Sequence, residues 1–190
     1  RGKPSCHKAF GEDIALLSGD ALLTEAFFVA SNARVSADKC LNAISFLSTN
    51  AGVHGMIGGQ VLDLSFEENK PDAAALQDMY MRKTGALLIA AASIGCISAG
   101  KCDEETLKSA AKYGYNLGLA FQIVDDILDV TANEEVLGKP VGSDDKNNKT
   151  TFVSLYGLSE AFAIAAQLSN SALDALDEIG GDTEALYEIT

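Results

Sequence analysis

The sequence predicts an all-α protein. Apolar residues recur at the helical period in nearly every segment, and no stretch of Val, Ile and Thr alternates with polar residues for long enough to propose a sheet. A first helix is expected over about residues 11–31, with Asp13 and Asp20 seven apart on nearly the same face and Leu16, Leu23 and Phe27 apolar. A second follows over about 36–50. Residues 52–59 (GVHGMIGG) make a weak helix, since each Gly costs about 1 kcal/mol relative to Ala. Close packing of another backbone is the expected compensation, with His54 between helices. Residues 67–72 form a loop, and Pro71-Asp72 starts a helix that runs through Met79 and Lys83 into the apolar run 85–99, ending at Ala99-Gly100-Lys101. The next starts near Asp103-Glu104-Glu105 and continues through Tyr113, Leu117 and Phe121 to Val130. The polar stretch 131–149 is longer than ordinary connections, a property of functional or disordered loops. Residues 159–179 form the last clear helix, and the chain has no internal repeat.

Composition narrows the function. A chain of 190 residues fits one domain, 1–190, and buries roughly two thirds of its unfolded surface in a single core. Lys+Arg 14 against Asp+Glu 27 leaves a formal charge of -13, which repels nucleic-acid phosphates and anionic headgroups, so no nucleic-acid partner is expected. Cys6, Cys40, Cys96 and Cys102 show no C-x-x-C pair and no His at zinc-site spacing; free thiols in a reducing, cytoplasmic compartment follow. The run 85–99 is shorter than the roughly 20 residues of a membrane span, and a buried core helix is expected there instead. No Walker A or dinucleotide fingerprint is present, and the Gly55, Gly58, Gly59 group follows no strand.

The chemistry concentrates in FQIVDDILD, residues 121–129. A helical step of about 100° per residue places Gln122, Asp125, Asp126 and Asp129 within one arc, with Ile123, Val124, Ile127 and Leu128 opposite. Three carboxylates this close repel by roughly 4 kcal/mol per pair at 4 Å and an effective dielectric near 20. A cation therefore belongs at the site. All-oxygen ligands suit Mg²⁺, which takes one or two carboxylates and completes its octahedron with water and phosphate oxygens, so the substrate should be phosphorylated. Cations are at hand in Gly138-Lys139 and Lys149 of the polar loop, which also carries Asp144, and in Lys83-Thr84-Gly85.

These residues resemble those of trans-isoprenyl diphosphate synthases, the bacterial farnesyl/geranylgeranyl diphosphate synthases most closely. The resemblance rests on FQ-x-x-DD-x-x-D, the spacing from Gly138-Lys139 to Lys149, Lys83-Thr84-Gly85, Gly19-Asp20-Ala21-Leu22, Gly59-Gln60 followed by Asp63-Leu64, and Arg1-Gly2-Lys3-Pro4. It covers essentially the whole chain. Phe152-Val153 stands where the family often has Tyr-Pro, and His7 lies where it often has a His.

The resemblance implies an isoprenoid-synthase-type helical bundle around a central apolar cavity, here without its N-terminal helices, and a homodimer. It also implies that Asp125, Asp126 and Asp129 bind Mg²⁺ bridging to an allylic diphosphate, with Asp144 acting through the ions' surroundings. Lys83, Lys139 and Lys149 would hold that diphosphate, Arg1 would hold the diphosphate of isopentenyl diphosphate, and Thr84, the Lys83 carbonyl and Gln122 would face the allylic carbon. The implied reaction is prenyl transfer, with farnesyl diphosphate the expected product. Geranylgeranyl diphosphate synthesis, a non-catalytic synthase subunit and a class I terpene cyclase are the alternatives. Phe27 and Phe28 are read as core residues rather than as a tunnel floor. Product length is not legible, because the family sets it just before a first aspartate-rich motif that this chain lacks.

A diphosphate ester carries a charge near −3, and one carboxylate wall anchors only part of the Mg²⁺ needed to neutralise it as the C–O bond breaks. A segment preceding Arg1, with a second acidic motif on a helix facing Asp125, is therefore expected. Intact mass of the natural protein and an assay of a chain beginning at Arg1 check this: the short chain should show no detectable condensation, and condensation by a natural protein that starts at Arg1 would refute it.

Overall fold

The computed structural model describes residues 3–132 and 149–190. Among them are the helices α1 (Cys6–Phe10), α2 (Glu12–Ser31), α3 (Ala37–Ala51), α4 (Met56–Ser65) and α5 (Ala73–Tyr80). A π-helical turn (Met81–Gly85) leads without a break into α6 (Ala86–Ser98), and α7 (Glu104–Thr131), α8 (Phe152–Tyr156), α9 (Leu158–Ile179) and α10 (Glu184–Ile189) follow. No strand occurs among the described residues, so the chain is all-α. The long helices fall where the periodicity places them, while the short α1, α8 and α10 were not expected from sequence.

Boundaries follow local chemistry. Asp72 caps α5 by accepting from the Ala75 N–H at 2.9 Å, and Asp103 caps α7 by accepting from the Thr106 N–H at 2.8 Å. The Thr106 bonds hold the Asp103 carboxyl below the usual carboxylate range. Gly100, with φ +87°, adopts the left-handed conformation that ends the helix before it. At the C-terminus of α9, the Lys101 ammonium donates to the carbonyls of Ile179 (2.9 Å) and Gly180 (2.7 Å), placing a cation on the negative end of the helix. Thr151 and Ser154 form a reciprocal capping box at α8.

The core lies between α5, α7, α8 and α9. Leu76, Met79, Tyr80, Leu119, Ile123, Ile127 and Phe152 are buried together, closed by Ala161 and Ala165 of α9. Further along α9, Ala172, Ala175 and Leu176 pack against Tyr113 of α7. The small residues on α9 recur every three or four positions, so one face approaches α7 closely along its length. Across that seam Glu178 accepts from Lys112 and from Ser109, each at 2.8 Å.

A second seam sets the register of the site. A Cβ on Gly118 would lie 2.6 Å from the Gly85 Cα, and one on Gly114 would lie 2.6 Å from the Ile89 Cα. The chain through the π turn and α6 therefore runs antiparallel to α7 at backbone-to-backbone contact, which only glycine permits. The expectation of close backbone packing in the glycine-rich segment also holds. A Cβ on Gly59 of α4 would lie 2.6 Å from the Lys83 Cα. His54, by contrast, is exposed rather than packed between helices, because α4 begins only at Met56 and the turn before it puts Val53 and His54 at the surface.

Helix α6 buries Ala86, Ala90, Ser93, Cys96 and Ile97 on one face, as its apolar run requires. Burial pushes the Cys96 thiol up, and all four cysteines are free. An apolar cavity of about 430 Å³ opens between α6, α7 and α10, lined by Leu88, Ala91, Ala92, Leu117 and Ile189 among others. Helix α2 buries none of its residues, and Phe28 is exposed rather than in the core. By length and composition α2 is also apolar enough to cross a membrane, a property that 85–99 does not share.

Gly118→Ala should destabilise the protein by about 1–3 kcal/mol through overpacking, even though Ala gains about 1 kcal/mol of helix propensity. Gly95→Ala, at a helical glycine with nothing within 4 Å, should show only the propensity gain. Thermal denaturation of the two variants reads the difference in sign.

Candidate active site

The seam brings the turn that carries Lys83 and Thr84 alongside residues 118–122 of α7, just before its acidic end. Gly85 faces Gly118 and Ile89 faces Gly114. Continuing that antiparallel register sets Lys83 opposite Ala120 and Thr84 opposite Leu119, within one helical turn of Gln122, and Tyr80 opposite Ile123, one turn before Asp126. A bond tests the register directly: the Tyr80 hydroxyl reaches both oxygens of Asp126, at 2.8 and 2.9 Å.

Asp126 differs from the sequence expectation. It does not share an open wall with Asp125, because it falls on the inward stripe of Leu119, Ile123 and Ile127 and is only 6% exposed. Its Oδ2 also accepts from the Phe152 N–H at 2.8 Å, and the Phe152 ring stacks on Tyr80 at 5.8 Å and 24°. One carboxylate thus joins α5, α7 and the first residue of α8. A buried acceptor with donors from two other elements is a structural joint, and removing a donor leaves a desolvated charge behind. Asp129 is also buried, at 2% exposure, whereas Asp125 is half-buried. Val124, expected on the core side, is exposed.

The π turn presents the basic side. Ala86 N–H donates to the Met81 carbonyl five residues back, so the helix carries one extra residue here, a distortion that concentrates at functional sites. Gly59 holds the backbone of this turn from the α4 side. One turn further along α4, Asp63 points the same way and accepts from the Lys83 ammonium at 2.5 Å. Lys149 approaches the other oxygen of Asp63 at 3.7 Å. Sequence reading cited Asp63 only as part of a motif and gave it no role; its four-residue spacing from Gly59 was the available signal.

Lys83, Thr84, Gln122, Lys149, Asp125, Asp126 and Asp129 are therefore within the described structure. Arg1, Lys139 and Asp144 lie outside the described residues. Among those described, no group of three His, Cys, Asp or Glu side chains converges as a metal cluster, for the reason seen at Asp126. Carboxylates of Asp125 and Asp129 on one helix remain a hard, all-oxygen donor set, and Mg²⁺ needs no more than one or two protein carboxylates. That donor chemistry fits the ion.

Similarity to known proteins gives a family to this all-α chain with its acidic helix, lysine-bearing π turn and apolar cavity. Residues 1–189 match the polyprenyl synthetase family profile, and the chain belongs to that family. It is 42% identical over 192 residues to farnesyl diphosphate synthase of Escherichia coli, covering 98% of this chain and 64% of that protein. It is 45% identical over 175 residues to dimethylallyltranstransferase of Fischerella ambigua, covering 90% of this chain and 50% of that one. Among solved structures, the geranyltransferase of Helicobacter pylori, complexed with magnesium and isoprenyl diphosphate, superposes with a TM-score of 0.84 at 37% identity, over 98% of this chain and 61% of that one. The chain thus spans one half to two thirds of the length of these relatives.

Tyr80→Phe should cost about 1–3 kcal/mol, since it removes the hydroxyl donor from a buried carboxylate. Asp126→Asn should be destabilising by a similar amount. Urea denaturation is the measurement, and neutral outcomes at both positions would show that the joint contributes nothing.

Proposed function

We propose that the protein carrying this chain is a trans-prenyltransferase that condenses an allylic diphosphate, dimethylallyl or geranyl, with isopentenyl diphosphate to give a short-chain product of the farnesyl class. The observation that carries this reading is that the glycine seam places Lys83 and Thr84 within one helical turn of Gln122 along α7, and about one turn from the apolar cavity at Leu88 and Leu117. A charged end and an apolar end in one site suit a molecule built the same way.

In this reading Asp125 and Asp129 hold Mg²⁺, with Asp126 fixing the helix that bears them and Asp144 in support. Bound there, Mg²⁺ supplies positive charge to the diphosphate as the allylic C–O bond breaks. Lys83, Lys139 and Lys149 donate to the same diphosphate, and Arg1 to that of isopentenyl diphosphate. The Thr84 hydroxyl oxygen and the Gln122 amide oxygen turn their dipoles toward the carbon that becomes cationic. Apolar walls exclude the water that would quench that cation.

A cytoplasmic homodimer belongs to the same reading. Helix α2 leaves Leu16, Leu17, Leu22, Phe28 and Val29 uncovered. Asp20 in its middle would cost about 2.5–3.5 kcal/mol at a bilayer centre, which favours a protein partner over lipid.

Asp125→Asn in the full-length protein should leave folding largely intact while lowering turnover by about 10²-fold or more, because a partly exposed carboxylate adds little stability but holds the ion. Wild-type activity of the variant at limiting Mg²⁺ would sink the metal assignment. Lys139→Ala should raise the Michaelis constant for the allylic substrate more than that for isopentenyl diphosphate, and Arg1→Ala the reverse. Steady-state kinetics with each substrate varied separately would expose a misassignment as equal effects.

A further inference from the structure

Asp63 is the residue on this face that the reaction scheme above leaves without a part. It is a carboxylate among the cations assigned to the diphosphate, with a side chain only 13% exposed. On electrostatic grounds alone it is out of place, since it weakens the field that draws an anion in. Its geometry supplies a reason. Lys83 donates to Oδ2 at 2.5 Å and Lys149 lies 3.7 Å from Oδ1, so opposite oxygens of one carboxylate face the two ammonium groups. Lys83 comes from the π turn and Lys149 from the segment entering α8, elements far apart in the chain. Without a shared anion, two like charges at the ends of long side chains would separate and sample many rotamers. The lysine side chains remain 31% and 35% exposed, so each ammonium keeps donors for a ligand while the carboxylate holds it.

Asp63 is itself placed by backbone contact. Gly59, four residues earlier on the same face of α4, touches the Lys83 backbone, so the turn that positions Lys83 by its main chain also aims Asp63 at its side chain. An isolated surface ion pair contributes little. This one is half-buried, shared by two lysines and supported by packing at both ends.

We propose that Asp63 is a positioning residue that holds the ammonium groups of Lys83 and Lys149 converged on one diphosphate before the substrate arrives. The proposal rests on the prenyltransferase reading for the identity of the ligand, while the ordering of the two lysines stands apart from it. Asp63→Asn in the full-length protein should raise the Michaelis constant for the allylic diphosphate and lower kcat/KM for it by roughly 10- to 100-fold, the scale of a misplacement of about 1 Å. The Michaelis constant for isopentenyl diphosphate should change less than twofold, and Asp63→Glu should recover part of the loss. A purely structural role would instead raise both constants together and lower Tm. Tighter binding of inorganic diphosphate with Mg²⁺ to Asp63→Asn, by calorimetry, would mean that the carboxylate only repels anions and would overturn the proposal. Nitrogen-15 spectra of the lysine ammonium groups provide the independent arm: the Lys83 signal should be sharp and slowly exchanging in the wild type and lost in Asp63→Asn. An unchanged Lys83 signal refutes the positioning role whatever the enzyme's substrate. Absence of diphosphate binding by the wild type, with the Lys83 signal still dependent on Asp63, refutes the substrate reading alone.

Discussion

The backbone contact between the π turn with α6 and the middle of α7 is the constraint on which the rest of the site depends. Gly85, Gly114 and Gly118 let two helical segments approach until their main chains touch, and at that distance there is no freedom to slide. Register then follows as a matter of counting. Tyr80 comes opposite Ile123, from where its hydroxyl reaches Asp126, Lys83 and Thr84 come within one turn of Gln122, and apolar positions of both segments line the same cavity. In a looser helix pair packed by large side chains, neighbouring registers a turn apart would differ by little. Here they would drive side chains into backbone.

Asp126 shows how one acidic run divides its labour. Carboxylates adjacent in sequence occupy different environments because a helix turns about 100° between them. Asp126 meets Tyr80 and the Phe152 N–H, whereas Asp125 stays half-buried. The buried member fixes the relation of α7 to α5 and α8, and so fixes where its neighbours stand. Burying a carboxylate is costly unless donors surround it, and the Tyr80–Phe152 stack brings those donors from elements far apart in the chain.

Much of this was legible in the sequence. Helical periodicity marked α3, α7 and α9, while α2 shows little of it, and capping residues such as Asp72 and Asp103 marked where helices start. The need for close backbone packing near Gly59 was readable because glycine is a poor helix former without such a neighbour. The short helices α1, α8 and α10 left no signal, since five or six residues carry too little periodicity and form through tertiary contacts. At the site, the acidic run and the basic residues could be picked out by chemistry. The inward turn of Asp126 could not, because helical phase alone does not say which arc a partner will cover, and that partner is Tyr80, 46 residues earlier. The bridging place of Asp63 was hidden for the same reason: it depends on α4 meeting the π turn.

The π turn has a consequence for how this region can vary. It holds one residue more than an α-helical turn would, so the faces of α5 and α6 are out of phase by about 100° across it. Loss of one residue between Met81 and Gly85 would restore a regular helix without rotating its flanks, because the extra residue is taken up within the turn itself. Tyr80 would keep Asp126 and Ile89 would keep Gly114, and only the residues of the turn, Lys83 and Thr84 among them, would change place. The extra residue is therefore separable from the packing on either side of it: the fold can do without it, while the site depends on where the widened turn puts Lys83 and Thr84.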